Sequence, residues 1–116
     1  MYQLNFSDQA IAELKKLPKA DQLDLMEKIS AIRAEDLVSG AEEMGRFTRA
    51  GKTYHRLRAG EFRLYFEVTS DTLFTHYILH QHSLADFVFR FNLPITEETL
   101  IEQHQSFWKY LESLKK

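Results

Sequence analysis

The chain is 116 residues long, 44% hydrophobic and 28% charged, with a formal net charge of −2; residues 1–116 are expected to form a single domain with one modest core. With no cysteine, a disulfide framework and a thiolate metal site are both excluded. No signal-peptide pattern opens Met1–Ala10 and no apolar run is long enough to span a bilayer, so the expected setting is the cytoplasm, without a membrane partner.

Tyr2 to Phe6 alternates as a short strand, with Tyr2, Leu4 and Phe6 on one face. Ser7 reads as the N-cap of a helix with Asp8 in its first turn and Ala10, Ile11, Leu14 and Leu17 as its apolar stripe. Pro18 opens a second helix carrying Leu25, Met26, Ile29 and Ile32 on one face, and the two helices should pair as an antiparallel hairpin. A third helical stretch is expected from Asp36 to Met44, closed by Gly45. The period then changes to alternation. Thr53 to Arg58, Phe62 to Thr69 and Leu73 to His80 predict three strands in a meander, joined at Ala59-Gly60 and Ser70-Asp71. A short helix follows from Ser83 to about Arg90, broken at Asn92-Leu93-Pro94. Thr96 caps a last helix through about Leu114, whose apolar face of Leu100, Ile101, His104, Phe107, Trp108 and Leu111 suits packing. The predicted class is α+β: an N-terminal helical hairpin packed on an antiparallel sheet (residues 1–91), with an additional C-terminal helix (95–115).

Charge is unevenly placed. From Arg46 to Arg63 the chain carries Arg46, Arg49, Lys52, Arg56, Arg58 and Arg63 against Glu61 alone, a local +5 that leaves −7 for the rest. Such asymmetry suits a phosphate backbone or an acidic partner; a solvated charged hairpin is the alternative. Strand parity sharpens the first reading. Phe62, Leu64, Phe66 and Val68 share the core face, which leaves Arg63, Tyr65 and Glu67 on the other. Leu57 points to the core in the preceding strand, so Tyr54, Arg56 and Arg58 are expected on the same exposed surface as Arg63 and Tyr65. Neighbouring like charges repel, and an anionic ligand would relieve that cost. Arginine forks suit phosphate and the tyrosine rings suit base stacking, with Arg49 and Lys52 extending the RNA-binding surface.

His80 and His82 share a face if their strand runs that far, near the end of the strand next to the basic hairpin. They suit proton exchange at neutral pH, or simply close the strand as polar residues; a His-x-His zinc site lacks an evident third ligand. His76 and His104 fall within apolar periodicities as hydrogen-bonded, partly buried residues, and His55 falls on the core side of its strand. With no Ser-His-Asp order, glycine-rich phosphate loop or paired carboxylates, no cofactor and no metal is expected.

The run from Tyr54 to Val68, including Arg58, Gly60, Phe62, Arg63, Leu64 and Phe66, then Leu73 to Asp86, resembles the RelE/ParE toxin superfamily, whose hallmark is such a hairpin following two helices. The resemblance extends to about Arg90, with the final helix beyond the usual end of the shorter toxins. It implies a toxin of a toxin–antitoxin system, held inactive by a cognate antitoxin. RelE-type members enter the ribosome and cut mRNA, whereas ParE-type members poison DNA gyrase. In the cleaving branch the ribose 2′-hydroxyl attacks the adjacent phosphate, which needs a proton acceptor, cations and a proton donor. By position, the resemblance makes Arg63 the phosphate clamp, Arg56 the basic residue of the preceding strand, and Arg58 a support for that surface or a structural residue. The family's catalytic tyrosine or histidine falls at Phe89, which cannot move a proton, and its basic cluster after the last strand falls at His82-Ser83. His80 and His82 are then the candidate acid and base. Two functions stay open: a ribosome-dependent mRNA endonuclease that represses translation, and a non-catalytic binding protein, either a gyrase inhibitor or a decayed toxin. Both imply an antitoxin segment, helical and acidic, over the sheet or basic surface. A homodimer through the last helix also stays open.

Overall fold

The computed structural model describes residues 2–38, 44–49, 51–83 and 105–113. Strand β1 (Gln3–Phe6) leads into α1 (Asp8–Lys15) and α2 (Lys19–Ser30), then a 3-10 turn at Ala34–Leu37. Four strands follow: β2 (Met44–Arg49), β3 (Lys52–Ala59), β4 (Phe62–Thr69) and β5 (Thr72–His80). The last described element is α3 (Gln105–Ser113). The sheet order is β1-β5-β4-β3-β2, an antiparallel meander with β1 added parallel to β5. The expected antiparallel sheet is therefore mixed at one edge.

The junction between β1 and α1 explains how that edge is finished. β1 pairs with β5 only as far as Phe6 opposite Thr75, which would leave the next backbone groups of β5 unpaired. Ser7 takes over: its N–H donates to Thr75 O at 2.9 Å, and its hydroxyl donates to His76 O. The same hydroxyl oxygen accepts from Ala10 N–H at 3.1 Å, as the expected N-cap of α1. Gln9 then brackets Ile78, donating to its carbonyl at 3.1 Å and accepting from its N–H at 3.0 Å. The first turn of α1 thus continues the ladder where the strand stops.

One face of the sheet carries Leu57, Ala59, Leu64, Phe66, Leu73 and Ile78. These pack against Ala10 of α1, Leu25 and Ile29 of α2, and Ile32. Tyr2, Leu4 and Phe6 pack on the same cluster, as the alternation of the first strand predicted. Each fully buried aliphatic or aromatic side chain here contributes about 1.5–3 kcal/mol. The tight turns follow from pairing: Ala59 faces Phe62 and Thr69 faces Thr72, so the loops are Gly60–Glu61 and Ser70–Asp71. The first lies one residue later than expected, because Gly60 takes the positive φ of 59° that a two-residue turn of this hand requires.

The helix expected from Asp36 to Met44 is met at its two ends only, residues 39–43 lying outside the described residues. Ala34–Leu37 forms a 3-10 turn closed by the Arg33 N–H bond to Asp36 Oδ2 at 2.8 Å. Met44 and Gly45 instead begin a strand paired with β3, Met44 opposite Leu57 and Gly45 opposite Arg56. Gly45 is no helix terminator. A Cβ at Gly45 would stand 2.5 Å from Nη2 of Arg56 and 2.7 Å from its Cζ, so the glycine lets the guanidinium lie across the strand. Residues 81–83 begin a helical turn. The rest of that expected short helix, including Phe89, lies outside the described residues, as do Leu100, Ile101 and His104.

Candidate functional site

The register places Tyr54, Arg56 and Arg58 of β3 on one face with Arg63 and Tyr65 of β4, as strand parity predicted: Arg56 pairs with Tyr65, and Arg58 with Arg63. That face is not exposed. Tyr65 is 1% accessible, Arg56 5% and Arg63 7%. α3 packs across this side of the sheet, its Phe107 and Leu111 fully buried in a second cluster with Tyr65, Tyr77 and Leu79. Phe107 meets the Tyr65 ring at 5.7 Å and Trp108 meets the Tyr54 ring at 5.1 Å. The expectation of a solvated arginine surface failed because strand alternation identifies a face without saying what covers it.

The arginines differ in setting. Arg63 turns Nη1 back onto the β3–β4 turn, donating to Gly60 O and Phe62 O at 3.1 Å each. This sets its charge against carbonyl oxygens; Arg58 is its partner across the strands. Arg56 lies over Gly45. Arg58 is exposed and borders a groove between α2 and the sheet, lined also by Lys28, Ile32, Asp36, Met44 and Leu57. Lys52 is exposed at the far end of the β2–β3 hairpin, where it pairs with Arg49. The structure therefore brings Arg56, Arg63, Tyr54 and Tyr65 together and sets Lys52 and Arg58 at the margins.

The histidine pair lies elsewhere. His80 pairs with Phe62 while its neighbour Leu79 pairs with Arg63, so His80 belongs to the face of Phe62, opposite the buried arginines. Its ring meets Phe62 edge-on at 5.2 Å and His82 at 4.5 Å. Nδ1 of His80 accepts the His82 backbone N–H at 3.0 Å, so the ring proton resides on Nε2, which donates to Glu61 Oε2 at 3.2 Å. That bonded arrangement closes the strand end. Among the described residues no group of three or more His, Cys, Asp or Glu side chains is placed to hold one metal ion.

A residue that the parity argument left aside does reach the arginine face. Between Tyr65 opposite Tyr77 and Phe66 opposite Thr75, β5 has one extra residue, His76. This bulge breaks the alternation, so His76 and Tyr77 follow one another on the same side. The His76 ring lies 5.6 Å from Tyr54 and 4.6 Å from Phe74. Its Nε2 is 3.2 Å from Glu67 Oε1, both side chains being half-buried. No sequence signal marks this placement, since the strands expected at Phe62–Thr69 and Leu73–His80 are equal in length and the extra residue emerges only from the pairing. His55, by contrast, lies on the core side as expected, stacked on Phe66 at 5.3 Å. Burial holds its imidazole below the ordinary pKa, and the Arg46 charge lowers it further.

No family model and no curated protein sequence matches the chain. Solved structures do. A chain of the archaeal RelE–RelB complex from Pyrococcus horikoshii OT3 superposes with a TM-score of 0.57 at 18% identity, covering 69% of this chain and 94% of that one. A chain of the toxin–antitoxin complex RelBE2 from Mycobacterium tuberculosis superposes with a TM-score of 0.51 at 21% identity, covering 68% of this chain and 96% of that one. The α+β architecture built above, a helical hairpin on a five-stranded sheet, is the RelE-like toxin fold.

Proposed function

We propose that the chain is a toxin of a toxin–antitoxin pair that represses translation by cutting ribosome-bound mRNA in the cytoplasm, with Arg56 and Arg63 binding the phosphate. One observation carries this reading: two buried guanidinium groups share one sheet face with Tyr54 and Tyr65 in a chain of RelE-like fold. Guanidinium forks suit the non-bridging oxygens of a scissile phosphate, and tyrosine rings beside them can stack on the adjoining bases. Substrate and α3 compete for the same face, so α3 moves aside when RNA binds. The cognate antitoxin is an acidic segment that covers the same arginines, and its affinity falls as salt rises.

One observation favours a second reading. The bonds from Arg63 to the turn carbonyls of Gly60 and Phe62 are those of a structural arginine. A chain that uses Arg63 only in this way would bind partners without catalysis, as a gyrase inhibitor or an inactive toxin that retains its antitoxin. Induced expression in growing cells separates the readings. The nuclease reading expects arrest of amino-acid incorporation within minutes, ahead of any DNA-damage response. A DNA-damage response that comes first supports the gyrase reading, and unimpaired growth supports the inactive one.

A further inference from the structure

The bulge in β5 carries a residue for which neither the fold nor the buried arginines account. We infer that His76, oriented by Glu67 and set beside Tyr54, is the proton-transfer residue of the arginine face. This rests on the nuclease reading and supplies what that reading lacks, since His80 points to the other side of the sheet.

The geometry assigns the ring its protons. Glu67 as a carboxylate can only accept, so the 3.2 Å contact from Nε2 to its Oε1 places the ring proton on Nε2. Nδ1 is then the lone-pair nitrogen and the acceptor. A carboxylate behind one nitrogen fixes the tautomer and stabilises the imidazolium that forms when the other takes a proton. Among the described residues, the titratable groups around the ring are Tyr54 from β3, Glu67 from β4 and Tyr77 from its own strand. α3 reaches this corner through Trp108 against Tyr54, with Lys109 and Glu112 exposed on the helix. Arg56 stands two residues along β3 from Tyr54, about 7 Å away on the same face.

In the proposed step the ribose 2′ O–H bond breaks and its proton passes to Nδ1 of His76. The oxygen lone pair forms the new bond to the adjacent phosphorus, whose non-bridging oxygens are held by Arg56, the nearer of the two buried arginines. The bond from phosphorus to the 5′ oxygen breaks, and that oxygen takes a proton from water. His76 returns its proton to the hydroxide so formed. The products are a 2′,3′-cyclic phosphate and a 5′-hydroxyl end, with no change of oxidation state.

The test is the rate of message cleavage on purified ribosomes as a function of pH, for the full chain and for His76→Gln, His76→Phe and Glu67→Gln. His76→Gln is expected to lower kcat by about 10²–10⁴-fold with KM little changed, and to abolish the acidic limb of the pH–rate profile. His76→Phe keeps the ring contacts with Phe74 and Tyr54 and must lose activity as fully. Glu67→Gln retains the limb with a smaller loss. Wild-type cleavage that either His76 variant preserves, acidic limb included, overturns the inference and leaves the nuclease reading standing. A wild-type protein that cuts no message overturns both.

Discussion

The two faces of the sheet are both buried, yet they are built from different chemistry. The face toward α1 and α2 is mainly aliphatic and aromatic, from Leu57 and Leu64 to Phe66 and Ile78, with His55 and Thr75 as buried polar residues beside Phe66. The face toward α3 mixes Phe107, Leu111 and Leu79 with side chains that end in polar groups: Tyr65, Tyr77, Arg56 and Arg63. An apolar interior needs only shape and volume to be stable. Hydroxyls and guanidinium groups placed in an interior raise the cost of folding unless something offsets them. The first face is a foundation, and the second is the one to which the proposed function assigns binding.

Matched truncations give the largest effects and the sharpest break. Phe66→Ala should cost about 3–5 kcal/mol in denaturant unfolding, because it opens a cavity in the foundation. Phe107 is equally buried, but Phe107→Ala should act on α3, speeding amide exchange in Gln105–Ser113 while exchange in β4 stays slow. A uniform loss of protection across β4 and α3 would show that the faces form one cooperative core, and the contrast would fail.

Next in size is Gly45→Ala. The new methyl group collides with the Arg56 guanidinium, the mobile end of a long side chain, so the arginine shifts while the strand persists. Loss of stability should stay near 1 kcal/mol or below, whereas misplacing a phosphate-binding group by about 1 Å should lower cleavage by up to about 10²-fold. In an Arg56→Ala background the same substitution should have no further effect on cleavage. Additive losses would mean that Gly45 does not act through Arg56.

The smallest effect belongs to the foundation and is a pH dependence. His55 in the folded protein binds a proton less readily than in the unfolded chain, where an imidazole titrates near 6.5. Lowering pH through that value protonates the unfolded chain first, so stability declines below about pH 6.5 and is retained above it. His55→Phe, stacked on Phe66 in the same place, should flatten that slope in thermal melts taken between about pH 7 and 5.5. An unchanged slope would mean that other groups carry it.

How much of this was legible in the sequence depends on the reach of each signal. β1, α1, α2 and the β3–β5 meander declare themselves because Leu57, Leu64, Phe66 and Ile78 repeat at the period of their own element. The pairing of Arg56, Arg63, Tyr54 and Tyr65 on one face follows from the same local period. β2 was hidden, because Met44-Gly45-Arg46 has no apolar alternation and its strand conformation comes from pairing with β3. The cover over Tyr54 and Tyr65 was hidden because α3 stands far along the chain from the strands it meets. The fates of His76 and His80 turned on a single extra residue in β5. Counting by twos from His76 would put both histidines on one face, and the bulge separates them.

On the proposed function, the second face binds and cuts RNA. The most direct test of that reading is message integrity and translation rate in a purified ribosomal system, with wild-type protein beside Arg63→Ala. Codon-phased cuts that require ribosomes are expected, reduced about 10²–10³-fold in Arg63→Ala. Intact message with normal translation in the presence of wild-type protein would contradict it.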